Sequence, residues 1–187
     1  MDLKEAIENR TSVRRYKTSV PLDKNLIEYL ISLALRAPSP KNRQPWQVIH
    51  LTGPDKDHFI ALGQQVLEDY KAIGAHYGSL EISLKAMTTA SNLLFIFNPY
   101  DQEADYHETW ERSDIQSTGA FIEHILLGAK AKGLGSLWIN DVFFMQDECK
   151  KFLGIVHDIQ AFVALGIPND GLYPRPRKDL GQVLIKN

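Results

Sequence analysis

The sequence predicts an α+β or mixed α/β protein with a central sheet, and three observations carry that reading. Helix-like and strand-like segments interleave irregularly along the chain. The run "NLLFIFN" (92–98) is apolar almost throughout, the mark of a strand buried on both faces. "SDIQSTGAFIEHILLGAKAKG" reads as a long helix from about Ser113 to Lys132, apolar around most of its circumference. Such a helix needs cover on all sides, from the fold, from a second subunit, or from both.

The remaining elements follow in order. Asp2 caps a short first helix, with Glu5 at the capping-box position and Leu3 and Ile7 on one face. That helix fails near Asn9, and a polar turn, "NRTSVRRY", follows. A second helix begins at Asp23, stapled by Leu22 and Ile27, with Leu26, Leu30, Leu33 and Ala37 at helical spacing. It ends at Ala37, because Pro38 disfavours helix at the residue before it. "WQVIHLT" is a buried strand and "DKDHFIALGQQVLEDYKAIG" a helix. "DYHETWERSD" is polar and aromatic and reads as a surface excursion. "GSLWIN" is a third strand, "MQDECKKFLG" a short helix and "IQAFVALG" a fourth strand. The tail carries a Pro-Arg-rich loop and a last short strand in "QVLIKN".

Composition narrows the function. The 187 residues suit one domain, 1–187, with a sizeable core. A formal charge of -2 argues against bulk binding to nucleic acid or to an anionic membrane. No apolar run approaches the ~20 residues that span a bilayer. The charged, amphipathic start is not that of a signal peptide, so a cytoplasmic setting is expected. The single cysteine, Cys149, excludes an internal disulfide and reads as a buried structural thiol. The six His residues lack zinc-type spacing, so no metal site is expected. "GLGS" follows a helix and precedes a strand, the reverse of a dinucleotide-binding loop.

Cations near turns are more distinctive. Arg10, Ser12 and Arg14 stand at alternate positions, which in extended backbone point to one side. Two guanidinium groups and a hydroxyl so placed form a phosphate clamp, with a solvated basic turn as the alternative. Arg175 and Arg177 repeat the device, stiffened by Pro174 and Pro176. Between the second helix and the first strand lies "RAPSPKNRQPW", a rigid loop with three prolines and no carboxylate, thiol or imidazole.

Four segments together resemble the nitroreductase-like FMN-dependent oxidoreductases. "RTSVRRY" resembles that family's Arg-x-Ser-x-Arg phosphate motif, and "APSPKNRQPW" its "APSxxNxQPW" loop. "GAFIEHILLGAKAKGLGSLWI" resembles its central helix and flavin-edge turn, and "VALGIPNDGLYPRPRKDL" its closing segment. The order along the chain also matches. Glu123-His124 departs from the Gln-Asn often found there.

The resemblance implies an α+β fold with a central mixed, mainly antiparallel sheet flanked by helices, and an intertwined homodimer with flavin sites at its interface. It implies FMN as cofactor and NADH or NADPH as electron donor. Hydride would pass through flavin N5, in ping-pong fashion, to a nitroaromatic, quinone or similar small oxidant. The ring carries that chemistry, so no catalytic acid, base or nucleophile is assigned. Arg10 and Arg177 would take the phosphate, helped by Thr11, Ser12 and Arg175. Arg14 would stabilise the reduced ring. Backbone N–H groups at Gly135, Ser136 and Leu137 would face its N5 edge. Pro38, Ser39 and Asn42 would shape and hydrogen-bond the flavin loop. Gln44 serves equally as a flavin contact or a brace, and Trp46 begins the strand and packs in the core. Tyr70, Tyr77, Tyr106 and Trp110 roof the cleft or are ordinary packing aromatics. A charge at Ile122 or Ile125 is expected to disturb the dimer. A reductive dehalogenase, a flavin-modifying enzyme and a non-catalytic flavin-binding module are the alternative readings.

Overall fold

The computed structural model describes residues 1–18, 20–169 and 174–185. Among the described residues, six α-helices and four strands appear in the order α1 (Leu3–Asn9), α2 (Lys24–Ala34), β1 (Gln47–Thr52), α3 (Gly53–Ala72), α4 (Leu80–Thr89), β2 (Asn92–Phe97), α5 (Glu108–Ala131), β3 (Gly135–Ile139), α6 (Gln146–Leu153) and β4 (Ile159–Gly166). The sheet order is β1-β2-β4-β3, and every neighbouring pair is antiparallel. The parallel component expected from the sequence is confined, among the described residues, to one bridge between Ser12 and Ser136.

Strand alternation sorts the core into two layers. Leu93, Phe95, Phe97 and Phe162 face α3, α4 and α6, where Phe59 meets Phe95 and Phe162 edge-on at 4.7 and 5.5 Å. Leu94, Ile96, Val163 and Leu165 face α2 and α5, against Leu30, Phe121, Ile122 and Ile125. This is why β2 is apolar at both parities. Its register with β4 slips after Ile96, so that Gln160 is the extra residue of a bulge.

Several boundaries differ from the sequence reading. Helix α2 stops at Ala34, not Ala37; the next residues tighten into i→i−3 bonds, Arg36 N–H to Leu33 and Ala37 N–H to Ala34. Helix α4 lies in a segment given no helix from sequence. Its first turn is held by Asp141, which accepts from the amide of Ser79 at 3.2 Å and from the hydroxyls of Ser79 and Ser83. Helix α5 starts at Glu108 and absorbs most of the supposed excursion. Ile122 and Ile125 are buried inside this chain, so a charge there tests the core and not a subunit boundary. In the tail, Leu180–Gln182 forms a 3-10 turn and Val183–Ile185 is irregular; the rest of the expected last strand, 186–187, lies outside the described residues.

Tyr16 locks the N-terminal segment onto the sheet. Its hydroxyl donates to the carbonyls of Val13 (2.8 Å) and Ala164 (3.2 Å), and its ring fills the space a side chain at Gly166 would need. Burial pushes its phenol well above the usual 10.0, partly offset by Arg14. Above that value the unfolded chain releases a proton that the folded chain retains, so stability present below pH 10 is lost as pH rises. The expected slope is about 1.4 kcal/mol per pH unit. Urea unfolding from neutral pH to about pH 11 should show a steeper loss in the wild type than in Tyr16→Phe, which keeps only the smaller slope from the raised Cys149 thiol and Tyr106 phenol.

Candidate functional site

The segment after α1 leaves the helix in extended backbone at Arg10 (φ −66, ψ 129) and runs along the outer edge of β3. Val13 N–H donates to the Ser136 carbonyl at 2.9 Å, and the Val13 side chain fills the space above Gly135. A Cβ on Gly135 would stand 2.9 Å from Val13, so close packing of this segment is one reason for a glycine there. Both groups of Ser136 point away from β4, because residues of a strand alternate in the direction of their hydrogen bonds. Gly135 and Leu137 point their backbone toward β4.

The docked segment separates the arginines. Arg10 and Thr11 open into a cavity of about 130 Å³ with Lys130, Gly133 and Ser136. Arg14 opens into another, of about 370 Å³, together with Arg175, Leu137, Trp138 and Asn140. Arg10 also meets Glu123 through Nε at 3.4 Å. Glu123, the position that departs from the resemblance, thus holds one side of an arginine, while His124 Nδ1 contacts its own helix at the Ala120 carbonyl (2.8 Å). Ser12, Arg175 and Arg177 are exposed.

The proline-rich loop sits elsewhere on the same chain. Pro38 and Ser39 line a concavity of about 270 Å³ against Ser113, Gln116 and Ala120 of α5. The loop is strained: Lys41, Asn42 and Gln44 all have positive φ, at 53, 55 and 52°. Ser39 Oγ accepts the Gln44 amide at 2.9 Å, and Trp46 N–H reaches back to the Gln44 carbonyl at 2.8 Å. The backbone of Gln44 is therefore a brace. Trp46 is buried and stacks on Phe121 at 4.9 Å.

Sequence reasoning passed over the residue at the centre of this region, Arg43. Its guanidinium lies 4.4 Å from the Tyr100 ring centre and 4.8 Å from that of Trp110. It donates to Glu103 (2.8 Å) and to the fully buried Asp114 (3.2 Å), which also accepts from Asn98 at 3.1 Å. Burial, with the Asp114 carboxylate as a second cause, pushes the Tyr106 phenol up to about 12; its oxygen accepts from Asn98. Trp110 and Tyr106 are thus engaged within this network, and Tyr70 packs on Phe144. The only signal in the sequence was a cation inside a loop of prolines.

A further cavity, of about 490 Å³, is lined by Tyr106, Ile115, Phe143 and Gln160 and holds none of the arginines above. Among the described residues no group of three or more His, Cys, Asp or Glu could hold a metal, and no helix is long and apolar enough to cross a membrane. Cys149 is fully buried, which pushes its thiol far above the usual range and leaves it unreactive.

The model of the Nitroreductase family matches residues 7–167, from the last turns of α1 to the residue after β4. The chain belongs to the nitroreductase family. Over 204 aligned residues this nitroreductase-family chain is 28% identical to an NADH dehydrogenase of Thermus thermophilus, covering 99% of the chain and 96% of that protein. It is also 28% identical to a 5,6-dimethylbenzimidazole synthase of Rhodobacter capsulatus, over 71% of this chain and 67% of that one. Among solved structures, an FMN- and NADPH-dependent nitroreductase from a sphigopyxis strain superposes with a TM-score of 0.83 at 18% identity, covering 100% of this chain and 99% of that one. An NADPH:FMN oxidoreductase from Vibrio harveyi, complexed with NAD+, superposes at 0.80 and 18% identity, covering 99% and 76%.

Proposed function

We propose that this chain is an FMN-dependent oxidoreductase that draws reducing equivalents from NADH or NADPH and delivers them to a small acceptor such as a nitroaromatic or a quinone. The observation that carries the reading is the pairing of Arg14 and Arg175 in one cavity beside the outer edge of β3, in a chain of this family. FMN presents a phosphate and a flat ring that becomes more negative when reduced, and the residues fit both parts. Arg10, contacted through Nε, keeps its terminal N–H groups for a phosphate, with Arg177, Thr11, Ser12 and Arg175 assisting. Arg14 meets the ring. Gly135, Ser136 and Leu137 bring the outer edge of β3 to the ring, with Ser136 itself held by the docked segment through its parallel bridge to Ser12. Pro38, Ser39 and Asn42 bring a rigid wall, Ser39 with a hydroxyl proton still to donate. FMN, when bound, supplies the electron-transfer chemistry, so the protein's part is to bind, orient and stabilise charge.

The arginine segment and the proline loop open onto separate concavities of one chain, which fits a site completed across a homodimer. Leu3 and Ile7 of α1, Ile115 of α5 and Val183 to Ile185 of the tail are exposed. On the homodimer reading a partner would cover these side chains. A cytoplasmic setting accompanies the reading, since it supplies the reduced nicotinamide. The likeness to a 5,6-dimethylbenzimidazole synthase supports a second reading, an enzyme that consumes the flavin itself. Mass analysis of the chromophore released from the purified protein should give intact FMN. FAD would overturn the cofactor assignment, and progressive loss of FMN in air would favour the second reading.

A further inference from the structure

The strained loop that presents Ser39 and Asn42 is not stable by its local bonds alone. Three non-glycine residues within four positions lie in the left-handed region, where a side chain crowds its own backbone. Such a conformation persists only where its surroundings over-determine it. Behind the loop Pro45 and Trp46 are buried, and Thr118 Oγ1 donates to the Pro45 carbonyl at 3.2 Å. At its middle Arg43 reaches inward with its side chain 19% exposed, while the exposed Lys41 lies over the outer side of the cluster, 5.1 Å from the Trp110 ring centre. We propose that Arg43 is a positioning residue for the flavin loop: clamped by Tyr100, Trp110, Glu103 and Asp114, it holds Asn42 and Gln44 in the conformations that set the cofactor-facing wall.

The clamp ties the loop to three separate parts of the chain. Asn98, just past the end of β2, fixes Asp114 at 3.1 Å. Tyr100 and Glu103 come from the connection that follows. Trp110 and Asp114 come from the first two turns of α5. A planar cation with several donors is needed to reach both carboxylates while lying against two rings, Nε to Asp114 and a terminal nitrogen to Glu103; an ammonium group offers neither the fork nor the flat face. Arg43 occupies an unspecified position of the loop motif, so the motif by itself does not call for this device. The proposal rests on the flavin reading of the loop.

The test compares FMN binding and the visible circular dichroism of FMN-saturated wild type and Arg43→Lys, with apo-protein unfolding measured alongside. Loss of the fork should raise the FMN dissociation constant about tenfold or more. It should also reshape the flavin dichroism at saturation. A purely structural role would lower the unfolding midpoint and leave the spectrum of bound flavin unchanged, and that result overturns the proposal. If Arg43→Lys does not fold, Trp110→Leu, which keeps both ion pairs, is read in the same way: an altered spectrum supports positioning and an unaltered one overturns it. Wild-type protein that binds no FMN sinks the flavin reading and this proposal together. Wild-type binding with an unaffected variant sinks this proposal alone.

Discussion

Replacing Ile125 by Asp should abolish cooperative folding. Ile125 is fully buried on the inner face of α5, in the apolar layer that includes Leu30, Leu94 and Val163. Removing its side chain alone would cost about 2–5 kcal/mol. A carboxylate in its place adds a desolvation penalty of several kcal/mol, with no cation in that layer to meet it. The sum reaches the whole stability of an ordinary domain, about 5–15 kcal/mol. Thermal denaturation followed by far-ultraviolet circular dichroism should show no transition, and a native-like melt would contradict the placement of this face in the core. Ile115→Asp, on the exposed side of the same helix, should behave differently. It should keep a melt close to that of the wild type and, on the dimer reading, reduce the mass seen by light scattering toward that of one chain.

Arg10→Ala and Arg177→Ala should weaken FMN binding, whereas Arg14→Ala should lower the potential of the flavin that stays bound. A charge-assisted hydrogen bond contributes about 1.5–3 kcal/mol, so each phosphate ligand corresponds to roughly a ten- to hundredfold change in affinity. The phosphate does not change charge on reduction, so neither loss should move the potential much. Arg14 is read as facing the part of the ring that becomes negative. Losing about 1.4 kcal/mol of preferential stabilisation lowers a two-electron potential by about 30 mV. The structure makes the two effects separable, because Arg10 and Arg14 open into different cavities on either side of the docked Val13. Potentiometric titration of the FMN-saturated variants checks the division. A fall in potential for Arg10→Ala with none for Arg14→Ala would reverse the roles, and no effect in any variant would dissolve the clamp.

Where local sequence carries the physics, the reading was close. Strand β4 was read at its observed bounds, and β2 to within one residue, because a doubly covered strand must be apolar at every position. Asp2 and Asp23 cap α1 and α2, as their types and positions implied. Helix α4 was missed because part of its cap is remote: the carboxylate that holds its first turn belongs to Asp141. The early start of α5 was missed because its first turns carry no apolar stripe; Trp110 and Asp114 pack on a cation instead. The arginine spacing revealed a special segment, but its two cavities depend on the docking of Val13 at β3, a contact no local pattern contains. Arg43 was silent for the same reason, since each of its partners lies at least 57 residues further on, from Tyr100 to Asp114.

On the reading proposed above, the chain binds a flavin that nicotinamide reduces and a second substrate reoxidises. The most direct measurement is anaerobic addition of NADH or NADPH to the FMN-loaded protein, followed by a quinone or nitroaromatic. The account predicts loss of the visible flavin absorbance on the first addition and its return on the second. A protein that holds FMN and keeps its absorbance in the presence of either nicotinamide would be a flavin binder without this activity, and would contradict the account.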